Sequence, residues 1–183
     1  MTVWTIQEYS LYEKLLKNKI LTVDLSYSEY YNDCKEFKNA YDWLYKQFKK
    51  RVKKYDGNPL WWGWTDRPDL RKKQTSSNDV LVLIELNIPD ELILKSDFCA
   101  WEYAFTDSII AESEKEYDIY YDDEENWTED VKKQKEMVKE KSWEIIFNKN
   151  PPKNDWIGNT LKWQVNFEYL KLSEVKSIKI FNK

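Results

Sequence analysis

The chain of 183 residues contains no histidine. That absence removes Ser-His-Asp and Cys-His catalysis, HExxH-type zinc sites and any imidazole general base. Its two cysteines, Cys34 and Cys99, lie far apart. They cannot build a paired-thiolate zinc site and suit a reduced cytosolic protein better than a disulfide scaffold. Only three glycines occur, Gly57, Gly63 and Gly158, so GxGxxG and Walker-type phosphate loops are missing too. No apolar run approaches the roughly 20 residues of a membrane span. The opening MTVWTIQEYS has neither the basic nor the apolar region of a signal peptide. These absences lead us to expect a cytoplasmic protein with no specific metal, no cofactor and no membrane partner.

Charge is plentiful but nearly balanced. The net charge of −4 exerts no general pull on nucleic acid or anionic lipid. Local basic patches exist at Lys49-Lys50-Arg51 with Lys53-Lys54, and at Arg71-Lys72-Lys73. Charged residues reach 34%, which alone would fit disorder, yet the 16% aromatic content supplies enough apolar area per residue for a packed core. Lysine far exceeds arginine, and Asn, Ile and Tyr are abundant, a codon bias that points to an AT-rich bacterial or phage genome.

Periodicity predicts the elements. Residues 2–7, TVWTIQ, alternate as a short strand. Leu11, Leu15 and Ile20 follow near helical spacing, and a long helix is expected from Ser28 to Tyr55 with Tyr30, Phe37, Tyr41, Leu44 and Phe48 as its apolar stripe. PLWWGW reads as an aromatic strand, and the continuous apolar run Val80–Leu86 as a strand buried on both faces. Ser96 is expected to cap a helix, beside Asp97. The acidic stretch 112–130 reads as a mobile loop. Thr128 or Asp130 is expected to cap a helix reaching about Phe147, with Val131, Val138, Ile145 and Ile146 inward. TLKWQVNFEYL, with Leu161, Trp163, Val165 and Phe167 alternating, reads as a half-buried strand, and KSIKIF as a final edge strand. The fold class expected is α+β: one domain over 1–183, a mixed and mostly antiparallel sheet including 2–7, 80–86 and 161–169, and helices mainly on one face.

Several segments together resemble an uncharacterised bacterial family, domain-of-unknown-function family 3841. They are Trp4-Thr5-Ile6-Gln7, Tyr41-Asp42-Trp43, Arg67-Pro68-Asp69-Leu70-Arg71, Ser96-Asp97-Phe98 with Trp101, Ser142-Trp143-Glu144 with Ile146 and Phe147, and the late WQVNFEYL. The resemblance runs nearly the whole chain and implies membership. It carries no established activity. The chain departs from it at Glu102, where the family usually has a histidine or another polar residue.

Candidate chemistry centres on WWGWTDRPDLR, residues 61–71. On a strand Trp62 and Trp64 share a face and Trp61 opposes them. Indoles beside Arg67 and Arg71 suit stacking of a base and pairing with a phosphate or carboxylate. The opposing reading makes the indoles core and the arginines structural partners of Asp66, Asp69 or Asp97. Gln7, Gln164 and Glu168 form a further polar set, with a solvated strand face as its ordinary explanation. The acidic run Asp122–Glu125 lacks the spacing and glycine turn of a calcium loop.

Three functions follow. The first is a non-enzymatic binding protein for a nucleotide, nucleic acid or protein partner, in bacterial or phage defence. It would use an aromatic and arginine pocket made by Trp62, Trp64, Arg67, Arg71, Gln7, Gln164 and Glu168. The second is an ADP-ribosyltransferase-like enzyme using NAD, because a first strand, an early helix, a split antiparallel sheet and a late Gln/Glu strand resemble that architecture. That resemblance implies an arginine or histidine holding the dinucleotide and a glutamate at the reacting ribose, and the first strand here has neither cation. The third is an adaptor domain without a small ligand.

Overall fold

The alternation of TVWTIQ does form a strand, β1 (Thr2–Glu8), which leads directly into helix α1 (Tyr9–Asn18). The computed structural model describes residues 1–27, 29–71, 80–148 and 162–182. It is an α+β fold that divides into two compact units. One comprises Met1–Leu25, Tyr45–Lys95 and Trp163–Lys183; the other comprises Ser26–Leu44 and Ser96–Lys162.

The first unit is built on a six-stranded sheet. Besides β1, its members are β3 (Trp61–Trp64), β4 (Leu81–Asn87), β5 (Ile93–Asp97), β6 (Trp163–Phe167) and β8 (Val175–Phe181), in the order β5-β6-β3-β1-β4-β8. Two short strands, β2 (Ile20–Leu21) and β7 (Leu170–Lys171), pair separately. The registers that are defined are antiparallel: β1 with β3 and β4, β3 with β6, and β4 with β8. Because side chains alternate along a strand, these registers assign each residue a face. Val3, Trp61, Val82, Ile84, Leu86, Val165 and Phe167 share one face and form the main core, joined by Leu15 from α1. The opposite face carries Trp4, Trp62, Trp64, Gln164 and Asn166. Leu81, Val82, Leu83 and Ile84 are all buried, so β4 is covered on both faces, as its continuous apolar run implied.

Gly63 lies between Val3 and Phe167 on the core face, where a Cβ would sit 2.5 Å from Val3 Cγ1 and 3.1 Å from the Trp4 carbonyl oxygen. A glycine is what lets β1 and β3 approach here. Gly57 plays a different part. Its φ of 96° is the left-handed conformation that glycine adopts without strain, in the turn that follows α3 (Lys35–Arg51).

The second unit packs around indoles. Trp43, Trp101 and Trp143 are fully buried. The Trp43 ring meets Trp101 at 5.8 Å and Trp143 at 5.4 Å, both edge-to-face, and stacks on Phe147 at 5.5 Å. Its helices are α2 (Glu29–Asp33), the first part of α3, α4 (Trp101–Phe105), α5 (Glu114–Tyr121) and α6 (Glu129–Ser142). Thr128 caps α6, its hydroxyl accepting from the Val131 amide, and a 3₁₀ turn then runs from Trp143 to Phe147.

Several expectations need correction. The long helix is interrupted: α2 ends at Asp33, Cys34 is non-helical, and α3 restarts at Lys35 and stops at Arg51. Ser28 and the Tyr30 side chain lie outside the described residues. Ile20 does not extend the first helix but sits exposed in β2. Ser96 caps nothing; it is a buried member of β5, and Asp97 takes the turn instead, accepting from the Cys99 and Ala100 amides at 2.8 and 3.3 Å. The acidic stretch contains a real helix, because Ser113 caps α5 by accepting from the Glu116 amide. Val138 points outward and Ile146 inward on the next segment. Strand β6 is not half-buried: Gln164, Val165, Asn166 and Phe167 are all buried. Leu161, Lys72, Lys73 and Gly158 lie outside the described residues. The final strand β8 is an edge strand, as expected. Among the described residues no helix is long and apolar enough to cross a membrane.

Candidate functional site

The sheet splits at its centre. Strand β1 pairs with β4 along seven consecutive residues, Thr2↔Asn87 to Glu8↔Leu81, but with β3 only at Trp4↔Trp64. Beyond that contact one side-chain bond crosses between the two strands, and a second, within β1, supports it. Thr5 Oγ1 donates to the Trp62 carbonyl oxygen at 3.0 Å and accepts from Gln7 Nε2 at 2.7 Å. The gap is a cleft of about 490 Å³, lined by Thr5, Gln7 and Glu8 on one side and by Leu60, Trp62 and Trp64 on the other. Backbone groups that would have continued the ladder therefore border a cavity. This is how a sheet presents polar groups to a ligand without exposing an edge.

Beside the cleft lies a row of indoles and amides. Trp64 pairs with Gln164 and Trp62 with Asn166, so all four occupy the face opposite the main core. Gln164 is 4% exposed and Asn166 0%. Asn166 Nδ2 donates to the Trp61 carbonyl oxygen at 3.4 Å. Gln164 Nε2 and Asn166 Oδ1 have no hydrogen-bond partner among the described residues. A buried amide atom without a partner costs about 1–3 kcal/mol, so two at alternate positions on one face of a strand call for a reason.

The seven residues singled out by sequence are not gathered in one place. Gln7, Trp62 and Trp64 line the cleft, and Gln164 adjoins it through its pairing with Trp64. Arg67 and Arg71 lie apart, on a groove of about 320 Å³ shared with Asp69 and Lys179. Arg71 is bound by Asp69, its Nε and Nη2 each 2.9 Å from a carboxylate oxygen, so its fork is occupied. The Arg67 guanidinium stands 5.6 Å over the Trp4 ring. Glu168 is a buried brace: its carboxylate accepts from the Asp56 amide at 3.0 Å, the Asn58 amide at 2.8 Å and Asn58 Nδ2 at 2.9 Å.

Residues that sequence reasoning passed over surround Glu168. A cavity of about 220 Å³ is lined by Lys54, Asp56, Tyr169, Lys171 and Glu174 around the Glu168 brace. Tyr169 donates to Asp56 Oδ2 at 2.7 Å, which pushes its hydroxyl up to about 12. Burial raises the Glu174 carboxyl above the ordinary range, against the opposing pull of Lys171 at 3.6 Å. In the second unit Lys139 is 5% exposed and reaches Asp107 at 2.8 Å and Glu136 at 2.7 Å. Burial pulls its ammonium down, and the two carboxylates more than offset that, so its affinity for the proton is raised. The signals for these sets were weak, since acids and lysines distant in sequence meet only after folding.

No curated protein and no solved structure is detectably similar to the chain. The family model for the domain of unknown function DUF3841 matches residues 2–171, and the chain belongs to that family.

Proposed function

We propose that the chain is a binding protein that admits the planar ring of a nucleotide-class ligand into the cleft between β1 and β3. One observation carries this reading: the pairing of these strands stops after Trp4↔Trp64, leaving a cavity of about 490 Å³ lined by Trp61, Trp62, Trp64 and Gln7. Indole faces stack on any heteroaromatic ring, and an amide supplies both a donor and an acceptor for its edge. The unpartnered Gln164 Nε2 and Asn166 Oδ1, on the sheet face that Trp62 and Trp64 share, add recognition capacity. The arginines are not part of this pocket, so a ring rather than a phosphate is the recognised group. We place the protein in the cytosol of a bacterium or phage-infected cell, in keeping with two cysteines that are not joined in a disulfide.

Calorimetric titration with ATP, NAD, adenosine, nicotinamide and short single-stranded oligonucleotides tests the reading. At least one ring-bearing ligand binds, and Trp64→Ala weakens it by about 1–3 kcal/mol, the usual contribution of one stacking partner. A parent protein that binds none of them makes this an adaptor domain instead.

A second reading, an ADP-ribosyltransferase-like enzyme, is favoured by the split itself, with the Gln-bearing late strand β6 next to the tryptophan strand. It is weakened by chemistry. Strand β1 carries no arginine, and Glu168 is committed to the Asp56 and Asn58 amides. Nicotinamide release from NAD by the purified chain would favour this second reading over simple binding.

A further inference from the structure

We infer that the free edge of β8 receives an extended protein segment that alternates apolar and acidic residues, adding it to the sheet as a seventh strand. Strand β8 ends the six-stranded order, and Lys176 through Ile180 are exposed. Its outer backbone groups have no partner strand among the described residues, and an open row of such groups is a template for another strand.

The register states what that strand must look like. Ile84↔Ile178 and Val82↔Ile180 put the two isoleucines on the core side of the sheet, where they are 38% and 49% exposed, and Val80 adds a third exposed apolar side chain nearby. Leu83↔Lys179 puts Lys179 on the opposite side, where it borders a groove of about 490 Å³ together with Trp4, Arg67 and Ser177. Among the described residues neither Lys179 nor Arg67 has an acidic partner, whereas Glu85 on that side accepts from Ser177 Oγ at 2.6 Å. An added strand therefore meets apolar surface with every second side chain and the Lys179 cation with the others. Period-two alternation of isoleucine-like and glutamate-like residues satisfies both at once.

The lysines of β8 argue against a second copy of this chain as occupant. A β8–β8 seam would bring Lys176 and Lys179 of each protomer together, and lysine at an edge is a common device against self-pairing. The inference does not depend on the cleft between β1 and β3.

The test uses the full chain and two fluorescein-labelled octapeptides, one alternating Ile with Glu and one alternating Ile with Lys. The Glu peptide is expected to bind at least about tenfold more tightly than the Lys peptide, and added salt should weaken it. Lys179→Glu should reverse that order and Lys179→Gln should flatten it, with unchanged melting temperatures showing that both variants fold. Backbone amides of 175–181 should gain exchange protection with the Glu peptide alone. Equal affinity for the two peptides, binding of neither, or a dimeric parent whose β8 amides are already protected would each overturn the inference.

Discussion

Replacing Gly63 by alanine tests the packing that brings β1 and β3 together. An added Cβ would lie 2.5 Å from Val3 Cγ1, 3.1 Å from the Trp4 carbonyl oxygen and 3.3 Å from Phe167 Cε1. Carbon atoms prefer a separation of about 3.5–4.0 Å, so the overlap with Val3 is about 1 Å or more. Val3 is fully buried and β-branched, which leaves it no easy rotamer to escape into. The Trp4 carbonyl belongs to backbone at the one residue pair that joins the two strands. Overpacking of this kind costs about 1–3 kcal/mol, and the lower unfolded-state entropy of alanine returns about 0.5–1 kcal/mol. The net expectation is a loss of about 0.5–2 kcal/mol. At about 2–4 °C per kcal/mol for a chain of this size, that is a fall in Tm of roughly 1–8 °C. Urea denaturation followed by tryptophan fluorescence gives the value, and calorimetry the Tm. Introducing Val3→Ala first removes the offending methyl, so Gly63→Ala should then cost almost nothing, a coupling of about 1 kcal/mol. A neutral or stabilising Gly63→Ala in the parent, or the same cost in both backgrounds, would show that the contact is not what holds this position to glycine.

Three further outcomes are expected. Glu168→Ala should destabilise by about 2–4 kcal/mol, because a buried carboxylate and its bonds to Asp56 and Asn58 are lost; a change below 0.5 kcal/mol in chemical denaturation, roughly surface level, would contradict the brace. Lys139→Ala should cost about 1–3 kcal/mol, less than for a fully buried pair because Asp107 and Glu136 keep access to water, and Lys139→Met should cost less than Lys139→Ala. For Glu174 the folded-state value is raised, so its stabilising contribution is full below the ordinary value of 4.5 and is lost as pH rises through the folded value. Glu174→Gln should therefore be more stable relative to the parent at neutral pH than below pH 4.5, as Tm measured across that range will show; a difference independent of pH would refute it.

Much of the local architecture was legible in the chain, because it depends on neighbours a few residues away. Alternation of apolar and polar residues marked β1, the unbroken apolar run marked β4 as covered on both faces, and Thr128 marked the start of α6. Even α5 carried its signal, Ser113 three residues before Glu116, although the density of acids around it pointed toward a loop. The break at Cys34 left no such trace, since neither glycine nor proline stands there.

Of the site, the sequence showed residue types without their neighbours. Gln164, Asn166 and Glu168 alternate along one strand, a pattern that is the same whether water or protein covers that side. The sequence by itself determined that no imidazole or thiolate-pair chemistry is open to this protein, because those side chains are missing, and that short strands would carry Trp4, Trp61, Trp62 and Trp64, because period-two alternation and β-branching are local properties. Only the tertiary structure decided that β1 and β3 part after a single residue pair, that the amides of β6 are buried beside Trp62 and Trp64, and that Glu168 is spent on Asp56 and Asn58. The physical reason is that burial and hydrogen-bond satisfaction are settled by groups far apart in the chain, and no local pattern records which of them will meet.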